Sequence, residues 1–150
     1  MLLVFRKLNK GASLQPSPVR ILIVDDFGPW RHFVSSRLLK KPELQIAGEA
    51  SDGFEAVQKA AEPKPDLILL DIALPTLNGI KAGQQIRELV PESEIIFVSQ
   101  ESSADVVQAA LNLGASGYVL KTSAGSELLD ALQTVISGRS LSVAARQITI

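Results

Sequence analysis

Short apolar runs alternate with longer amphipathic segments along most of this chain. Four of the runs contain no polar alternation and span residues 21–24, 67–70, 95–98 and 118–120. Such runs are typical of strands that are covered on both faces. A fifth segment, residues 44–50, alternates between apolar and polar positions and predicts an edge strand. Helical patterns separate the runs in the order βαβαβαβαβα, so the sequence predicts an α/β fold with a doubly wound, five-stranded parallel sheet.

The predicted helices carry start and stop signals of their own. Pro29 fits the first turn of a helix, and the spacing of Trp30 with Phe33 favours a packing role for Trp30 in the core. A fourth helix is expected to start at Ser102, and the last one is expected to stop at Gly138. The remaining two helices are predicted over residues 53–62 and 78–90.

Composition and charge indicate a single globular domain between two short ends. A length of 150 residues is a prior for one domain, and the absence of cysteine excludes disulfides and thiolate metal sites. Residues 21–138 hold 16 acidic and nine basic side chains, whereas the segments on either side carry only basic ones. We therefore expect a flexible N-terminal tail over residues 1–18, a domain over residues 19–138 and a linker segment over residues 139–150.

The same properties argue against two classes of partner. An acidic body lacks the basic face that displaces counterions from nucleic acid, so direct DNA binding by this chain is not expected. No apolar run approaches the ~20 residues of a membrane span, and the five apolar residues at the start are too few for a signal peptide. The sequence therefore predicts a cytoplasmic protein that does not bind membranes.

Polar side chains follow four of the predicted strands directly. Asp25 and Asp26 follow the first strand, Asp71 the third, Ser99 the fourth and Lys121 the fifth. Because the carboxyl ends of parallel strands meet at one edge of the sheet, these side chains are expected to converge there. Each one alone could cap a helix or face solvent, but three converging carboxylates repel one another unless a cation is present. Oxygen ligands without His or Cys favour Mg²⁺, which is therefore the predicted metal.

These residues and their spacing resemble the receiver domains of two-component response regulators. The resemblance covers residues 19–138. It rests on VDD at residues 24–26, LDIALP at residues 70–75 with Gly79 eight residues after Asp71, VS at residues 98–99 and YVLK at residues 118–121. The run from Gly117 to Lys121 and the ending from Gly138 to Ser142 resemble the NarL/FixJ-type subgroup. The resemblance implies a flavodoxin-like (βα)5 receiver fold with strand order 2-1-3-4-5.

The resemblance also implies a metal-dependent phosphoacceptor. Asp71 corresponds to the residue that is phosphorylated. The side chains of Asp26 and Asp71 correspond to direct Mg²⁺ ligands, Asp25 to a ligand that acts through water, and the backbone carbonyl of Ala73 to a main-chain ligand. At the position of Ala73, two residues after the phosphoacceptor, no side chain is present to orient or exclude a hydrolytic water.

Three further residues correspond to the switch machinery of the family. Ser99 and Lys121 correspond to residues that bind phosphoryl oxygens, and Tyr118 to an aromatic residue that changes rotamer with phosphorylation state. The implied protein accepts a phosphoryl group from a sensor histidine kinase and controls an output domain or partner. It is an autocatalytic, self-dephosphorylating switch rather than a turnover enzyme. Its output domain is missing or separate, and the resemblance leaves open homodimer formation on phosphorylation.

Three alternatives compete with this hypothesis. A Mg²⁺-dependent aspartyl phosphatase of the haloacid-dehalogenase type requires a second Asp two residues after the nucleophile, where this chain has Ala73. A nucleotide-binding domain is disfavoured because neither glycine-rich phosphate fingerprint occurs. A protein-interaction module of receiver fold that works without phosphorylation is disfavoured by the complete set of polar residues at the strand ends.

Overall fold

Six strands form one sheet at the centre of the protein, as a computed structural model describes for residues 2–4 and 17–137. In chain order the strands are β1 (Leu2–Val4), β2 (Val19–Val24), β3 (Leu44–Ala50), β4 (Leu67–Leu70), β5 (Glu94–Ser99) and β6 (Gly117–Leu120). Across the sheet the order is β1-β6-β5-β4-β2-β3, and β2 to β6 are parallel to one another. When the parallel strands β2 to β6 are counted as strands 1 to 5, their order is the predicted 2-1-3-4-5, which is confirmed.

Among the described residues four α-helices connect the parallel strands and a fifth follows β6, and most of their boundaries lie within two residues of the predicted ones. They are α1 (Gly28–Leu38), α2 (Gly53–Ala61), α3 (Gly79–Leu89), α4 (Ala104–Asn112) and α5 (Ala124–Ile136). The predicted start of the fourth helix at Ser102 is wrong by two residues, because α4 begins at Ala104 and the Ser103 side chain accepts the capping hydrogen bond from the Val106 N–H. A 3-10 turn over Lys121–Ser123 precedes α5. The predicted stop at Gly138 lies outside the described residues.

The central strands are buried on both faces, which explains their unbroken apolar runs. All four residues of β4 are buried, as are all six residues of β5. Successive side chains point to opposite faces of a strand, so Leu67 and Leu69 pack under α1 and α5 whereas Ile68 and Leu70 pack under α2, α3 and α4. Burial of each such side chain stabilises the fold by about 1.5–3 kcal/mol. Within the described segments, no helix is long and apolar enough to cross a membrane.

Residues 2–4 form the strand β1, inside the segment that was expected to be a flexible tail. β1 pairs antiparallel with β6, which places Leu3 opposite Tyr118. Leu3 is completely buried in the same apolar cluster as Phe97 and Tyr118. Without β1 the β6 strand would be an open edge of the sheet, and an unpaired edge is a template for further strand pairing. The rest of the expected tail, residues 5–16, and the expected linker, residues 139–150, lie outside the described residues and stay predictions.

We predict that Leu3→Ala destabilises the protein by about 2–4 kcal/mol, because the substitution leaves a cavity between β1 and β6. Urea unfolding followed by circular dichroism measures the change in the free energy of unfolding. Leu39→Ala is the matched control, since Leu39 is 74% exposed. Equal stabilities of the two variants would show that β1 contributes nothing to the fold.

Candidate functional site

Three carboxylates meet at the carboxyl edge of the sheet. Asp25 and Asp26 follow β2, and Asp71 follows the neighbouring strand β4. One oxygen atom from each carboxylate lies within 4.8 Å of the other two. Asp25 and Asp71 are buried at 1% and 4% exposure, whereas Asp26 is exposed. The sheet thus brings these three predicted residues together because β2 and β4 are paired and end side by side.

Backbone groups hold one oxygen of each buried carboxylate in place. The Phe27 N–H donates to Asp25 Oδ1 at 2.9 Å, and the Ile72 N–H donates to Asp71 Oδ1 at 2.8 Å. The Arg31 guanidinium donates to the Asp25 carbonyl at 2.7 Å and so ties the loop after β2 to α1. These contacts fix both side chains with their second oxygen, Oδ2, free to meet a cation.

Lys121 supplies the positive charge between the two buried carboxylates. Its Nζ lies 2.6 Å from Asp25 Oδ2 and 3.3 Å from Asp71 Oδ2. Burial lowers the pKa of Lys121, but the hydrogen bond to Asp25 and the charge of Asp71 outweigh this effect and the net pKa is raised. Burial, followed by the charge of Asp25, raises the pKa of Asp71 above its ordinary value despite the opposing charge of Lys121. The positive charge of Lys121 therefore does not offset the combined effect of burial and of the Asp25 charge on the pKa of Asp71.

The donor atoms fit a Mg²⁺ ion. No backbone group holds the buried Asp25 Oδ2, and its partner in the described part of the chain is Lys121 Nζ. Three carboxylates exceed the single positive charge of Lys121, and an additional divalent cation would relieve their repulsion. Carboxylate oxygens with one exposed member suit an ion that keeps several of its waters. Ala73 lines the adjoining cavity, and the role of its backbone carbonyl as a ligand stays a prediction.

A cavity of about 170 Å³ opens beside Asp71. Its walls include Ala73, Ser99, Glu101 and Lys121, so both residues predicted to bind phosphoryl oxygens lie at its rim. Ser99 is buried at the end of β5, and its hydroxyl accepts a hydrogen bond from the Glu101 N–H at 3.1 Å. The cavity can hold a group of a few heavy atoms on the Asp71 carboxylate.

Tyr118 lies inside the protein rather than at its surface. Its ring is completely buried, 6.2 Å from the Phe97 ring, and its hydroxyl donates to the Glu101 carbonyl at 2.6 Å. Burial raises the pKa of Tyr118 to about 12, so the hydroxyl stays protonated at neutral pH. Glu101 thus accepts a hydrogen bond from Tyr118 and donates one to Ser99, which links the cavity to Tyr118. The predicted rotamer change of Tyr118 stays a prediction.

Sequence reasoning missed two side chains of α1 that contact this site. Trp30 is only partly buried, and its ring faces Lys121 Nζ at 5.2 Å as well as the core. Arg31 supports the Asp25 carbonyl and also pairs with Glu49 at 2.9 Å. One signal could have found both residues: α1 starts directly after the Asp25-Asp26 pair, so its first turn must lie at the same edge of the sheet.

A family model described as the response regulator receiver domain matches residues 21–133 of the chain. The chain belongs to this family. Response regulator protein VraR of Staphylococcus saprophyticus is 31% identical over 83% of this chain and 59% of the relative's length. The chain therefore spans less than two thirds of the length of the VraR protein that it matches.

Solved structures agree with the family and the fold. The response regulator domain of CheB from Thermotoga maritima is 33% identical, with a TM-score of 0.74 over 80% of this chain and 97% of that one. The signal receiver domain of the response regulator NarL from Mycobacterium tuberculosis is 30% identical, with a TM-score of 0.76 over 83% of this chain and 100% of that one. Both the NarL and VraR matches agree with the predicted NarL/FixJ-type likeness.

The position of Gly79 in this receiver domain has no room for a side chain. A Cβ atom at Gly79 would lie 1.9 Å from the Asp71 carbonyl oxygen and 2.6 Å from Ile72 Cα. The Gly79 N–H also donates to the Ile72 carbonyl at 2.7 Å. The start of α3 therefore sits directly against the backbone that carries the phosphoacceptor candidate.

We predict that Gly79→Ala destabilises the receiver domain by about 1–3 kcal/mol, because the backbone of Asp71 must move. The free energy of unfolding in urea measures the loss, and amide chemical shifts should change around Asp71. Gly125→Ala is the matched control, since a Cβ there meets no atom within 4 Å. Alanine is the better helix former, so this control should be neutral or slightly stabilised. A stability loss no larger for Gly79→Ala than for the control would contradict the close approach.

Proposed function

We propose that this receiver domain accepts a phosphoryl group on Asp71 from a sensor histidine kinase and thereby controls an output domain or partner. The observation that carries the proposal is the position of Asp71. Its buried carboxylate contacts Lys121 Nζ at 3.3 Å, clusters with Asp25 and Asp26, and borders a cavity that Ser99 also lines. A nucleophile, a cation and a cavity with room for a phosphoryl group thus lie next to one another.

The proposed reaction is phosphoryl transfer to a carboxylate. An oxygen of Asp71 forms the new bond to phosphorus, and the bond to the histidine nitrogen of the donor breaks, with its electron pair leaving on nitrogen. Negative charge is spread over the three equatorial oxygens, so catalysis consists of positioning and charge neutralisation. Lys121 and Ser99 line the cavity beside Asp71, and we infer that the ammonium and the hydroxyl would each meet one of these oxygens. Mg²⁺ held by Asp25, Asp26, Asp71 and the Ala73 carbonyl would supply further neutralisation.

The same contacts explain how the domain could switch. A phosphoryl group on Asp71 would accept a hydrogen bond from the Ser99 hydroxyl and draw Ser99 toward Asp71, although this hydroxyl now accepts from the Glu101 N–H. Movement of Ser99 would loosen Glu101, whose carbonyl accepts the hydroxyl of Tyr118. Contacts that differ between two states allow phosphorylation to shift the equilibrium between them. This is the path by which we infer that Tyr118 responds to the state of Asp71.

The remaining assignments follow from the proposed chemistry. The domain is a self-dephosphorylating switch rather than a turnover enzyme, since Ala73 offers no general acid where a phosphatase of the dehalogenase type requires one. We place it in the cytoplasm, with the histidine kinase as its phosphodonor, an output domain that is missing or separate, and homodimer formation as a response to phosphorylation. Direct DNA binding is not part of the proposal because the body of the domain is acidic.

We predict that acetyl phosphate with Mg²⁺ adds one base-labile phosphoryl group to the wild-type protein and none to Asp71→Asn. Loss of the carboxylate nucleophile is the reason, and intact-mass spectrometry is the measurement. Asp105→Asn is the control, since Asp105 is exposed in the first turn of α4 and lies outside the cluster of three carboxylates. Full labelling of Asp71→Asn would reject Asp71 as the phosphoacceptor.

We also predict that EDTA abolishes this labelling and that Asp26→Asn weakens Mg²⁺ binding. Removing one carboxylate of an all-oxygen site removes both a ligand and a charge. Titration of Mg²⁺ followed by amide chemical shifts measures the affinity, with and without beryllofluoride as a phosphoryl mimic. Beryllofluoride should tighten Mg²⁺ binding. If EDTA leaves the labelling unchanged, the metal role of the carboxylate cluster is wrong.

A further inference from the structure

The ammonium group of Lys121 faces an aromatic ring as well as two carboxylates. Lys121 Nζ lies over the Trp30 ring at 5.2 Å from its centroid, while Asp25 and Asp71 are at 2.6 and 3.3 Å. A cation within about 6 Å of a ring face is attracted by the ring quadrupole, and Trp is the strongest of the aromatic residues in this respect. Trp30 is therefore a third group that determines where this ammonium lies.

A second ring and a second cation brace Trp30 along α1. The Phe33 ring packs 5.1 Å from the Trp30 ring, and the Arg37 guanidinium lies over Phe33 at 4.9 Å. Residues three and four apart share one face of a helix, which is why these three side chains form a row. Arg37 also donates to the Gly125 carbonyl at the start of α5, at 3.2 Å. The row thus connects Lys121 to the junction of α1 and α5.

Packing alone does not account for this arrangement. Trp30 packs against the core but is only partly buried. The Lys121 ammonium lies over the Trp30 ring. The Lys121 side chain is only 14% exposed, so water screens the attraction less than it would at the surface. A lysine on a flexible four-carbon stem loses much rotamer freedom when it is held in place. A fixed ring face reduces the number of positions that the ammonium can take.

We propose that Trp30 is a positioning residue for Lys121, holding its ammonium over the ring face and between Asp25 and Asp71, where phosphoryl oxygens arrive. The inference rests on the proposed function, because Lys121 matters to the reaction only if Asp71 is phosphorylated. In this proposal Trp30 acts through Lys121 and is not itself assigned a contact with the phosphoryl group or the metal. Its contribution is to the position of the amine before the reaction starts.

The first test uses Trp30 as its own reporter, since it is the sole tryptophan of the chain. Replacing the ammonium by a neutral side chain in Lys121→Met should change the emission spectrum of Trp30 in the free protein. Lys81→Met, a substitution of an exposed lysine on α3, should leave it unchanged. Beryllofluoride with Mg²⁺ should alter the emission of the wild type and not that of Lys121→Met. An emission spectrum that Lys121→Met leaves unaltered would overturn the proposed contact.

The second test replaces the ring. Trp30→Leu should slow phosphorylation by acetyl phosphate by about two- to tenfold, because only the attraction to the ring is lost. Trp30→Phe retains a weaker ring face and should recover part of that rate. The Hε protons of Lys121, shielded by the indole ring in the wild type, should shift downfield in Trp30→Leu. Phe54→Leu removes an aromatic ring that is 64% exposed and should change neither quantity.

The outcomes separate the two proposals. If Trp30→Leu is phosphorylated at the wild-type rate with unshifted Lys121 protons, Trp30 has no positioning role. If Trp30→Phe is as slow as Trp30→Leu, the loss reflects packing and the inference also fails. If the wild type itself gains no phosphoryl group on Asp71, the proposed function fails. The emission spectra still test the Trp30–Lys121 contact in that case, because they are recorded on the free protein.

Discussion

The ion pairs of Lys121 with Asp25 and Asp71 are the interaction on which the site and its surroundings depend. Two carboxylates are buried at the end of the central strands, and a buried charge is costly unless it is paired. Lys121 enters from the end of β6 and pairs with both. Removing it would leave Asp25 charged and enclosed at 1% exposure. The group that makes these carboxylates tolerable in the folded state is therefore also the cation that the proposed phosphoryl transfer would use.

The loop after β4 is held in its position by close contacts with two helices. At one end α3 begins against the Asp71 carbonyl, and at the other a Cβ on Gly53 of α2 would lie 1.8 Å from the Leu77 carbonyl. Between them Thr76 has a φ of 66°, an unfavourable conformation for a β-branched residue. Its hydroxyl donates to Asp52 and accepts from the Phe54 N–H, which compensates the strain. The loop that carries Ala73 is thus fixed by α2 and α3 together.

Much of the fold and site could be predicted because the responsible signals are local. A strand covered on both faces is apolar along its buried run, as β4 and residues 95–98 of β5 are, and the residue after each parallel strand must lie at the common edge. The strand β1 could not be predicted, since three apolar residues have no period and their partner, Tyr118, is far away in the sequence. The contact of Trp30 with Lys121 was missed for the same reason. The spacing of Trp30 and Phe33 indicates a packed helix face but says nothing of a cation that arrives from another strand.

The antiparallel strand β1 means that the family boundary and the boundary of the folded unit differ in this chain. The family match starts at residue 21, whereas the sheet starts at residue 2. A fragment cut at the family boundary would keep every residue of the acidic cluster yet leave the outer edge of β6 unpaired and the ring of Tyr118 beside that open edge. Such an edge can recruit a strand from another molecule. Self-association of that fragment would then report the missing residues 2–4 rather than any signal transmitted from Asp71.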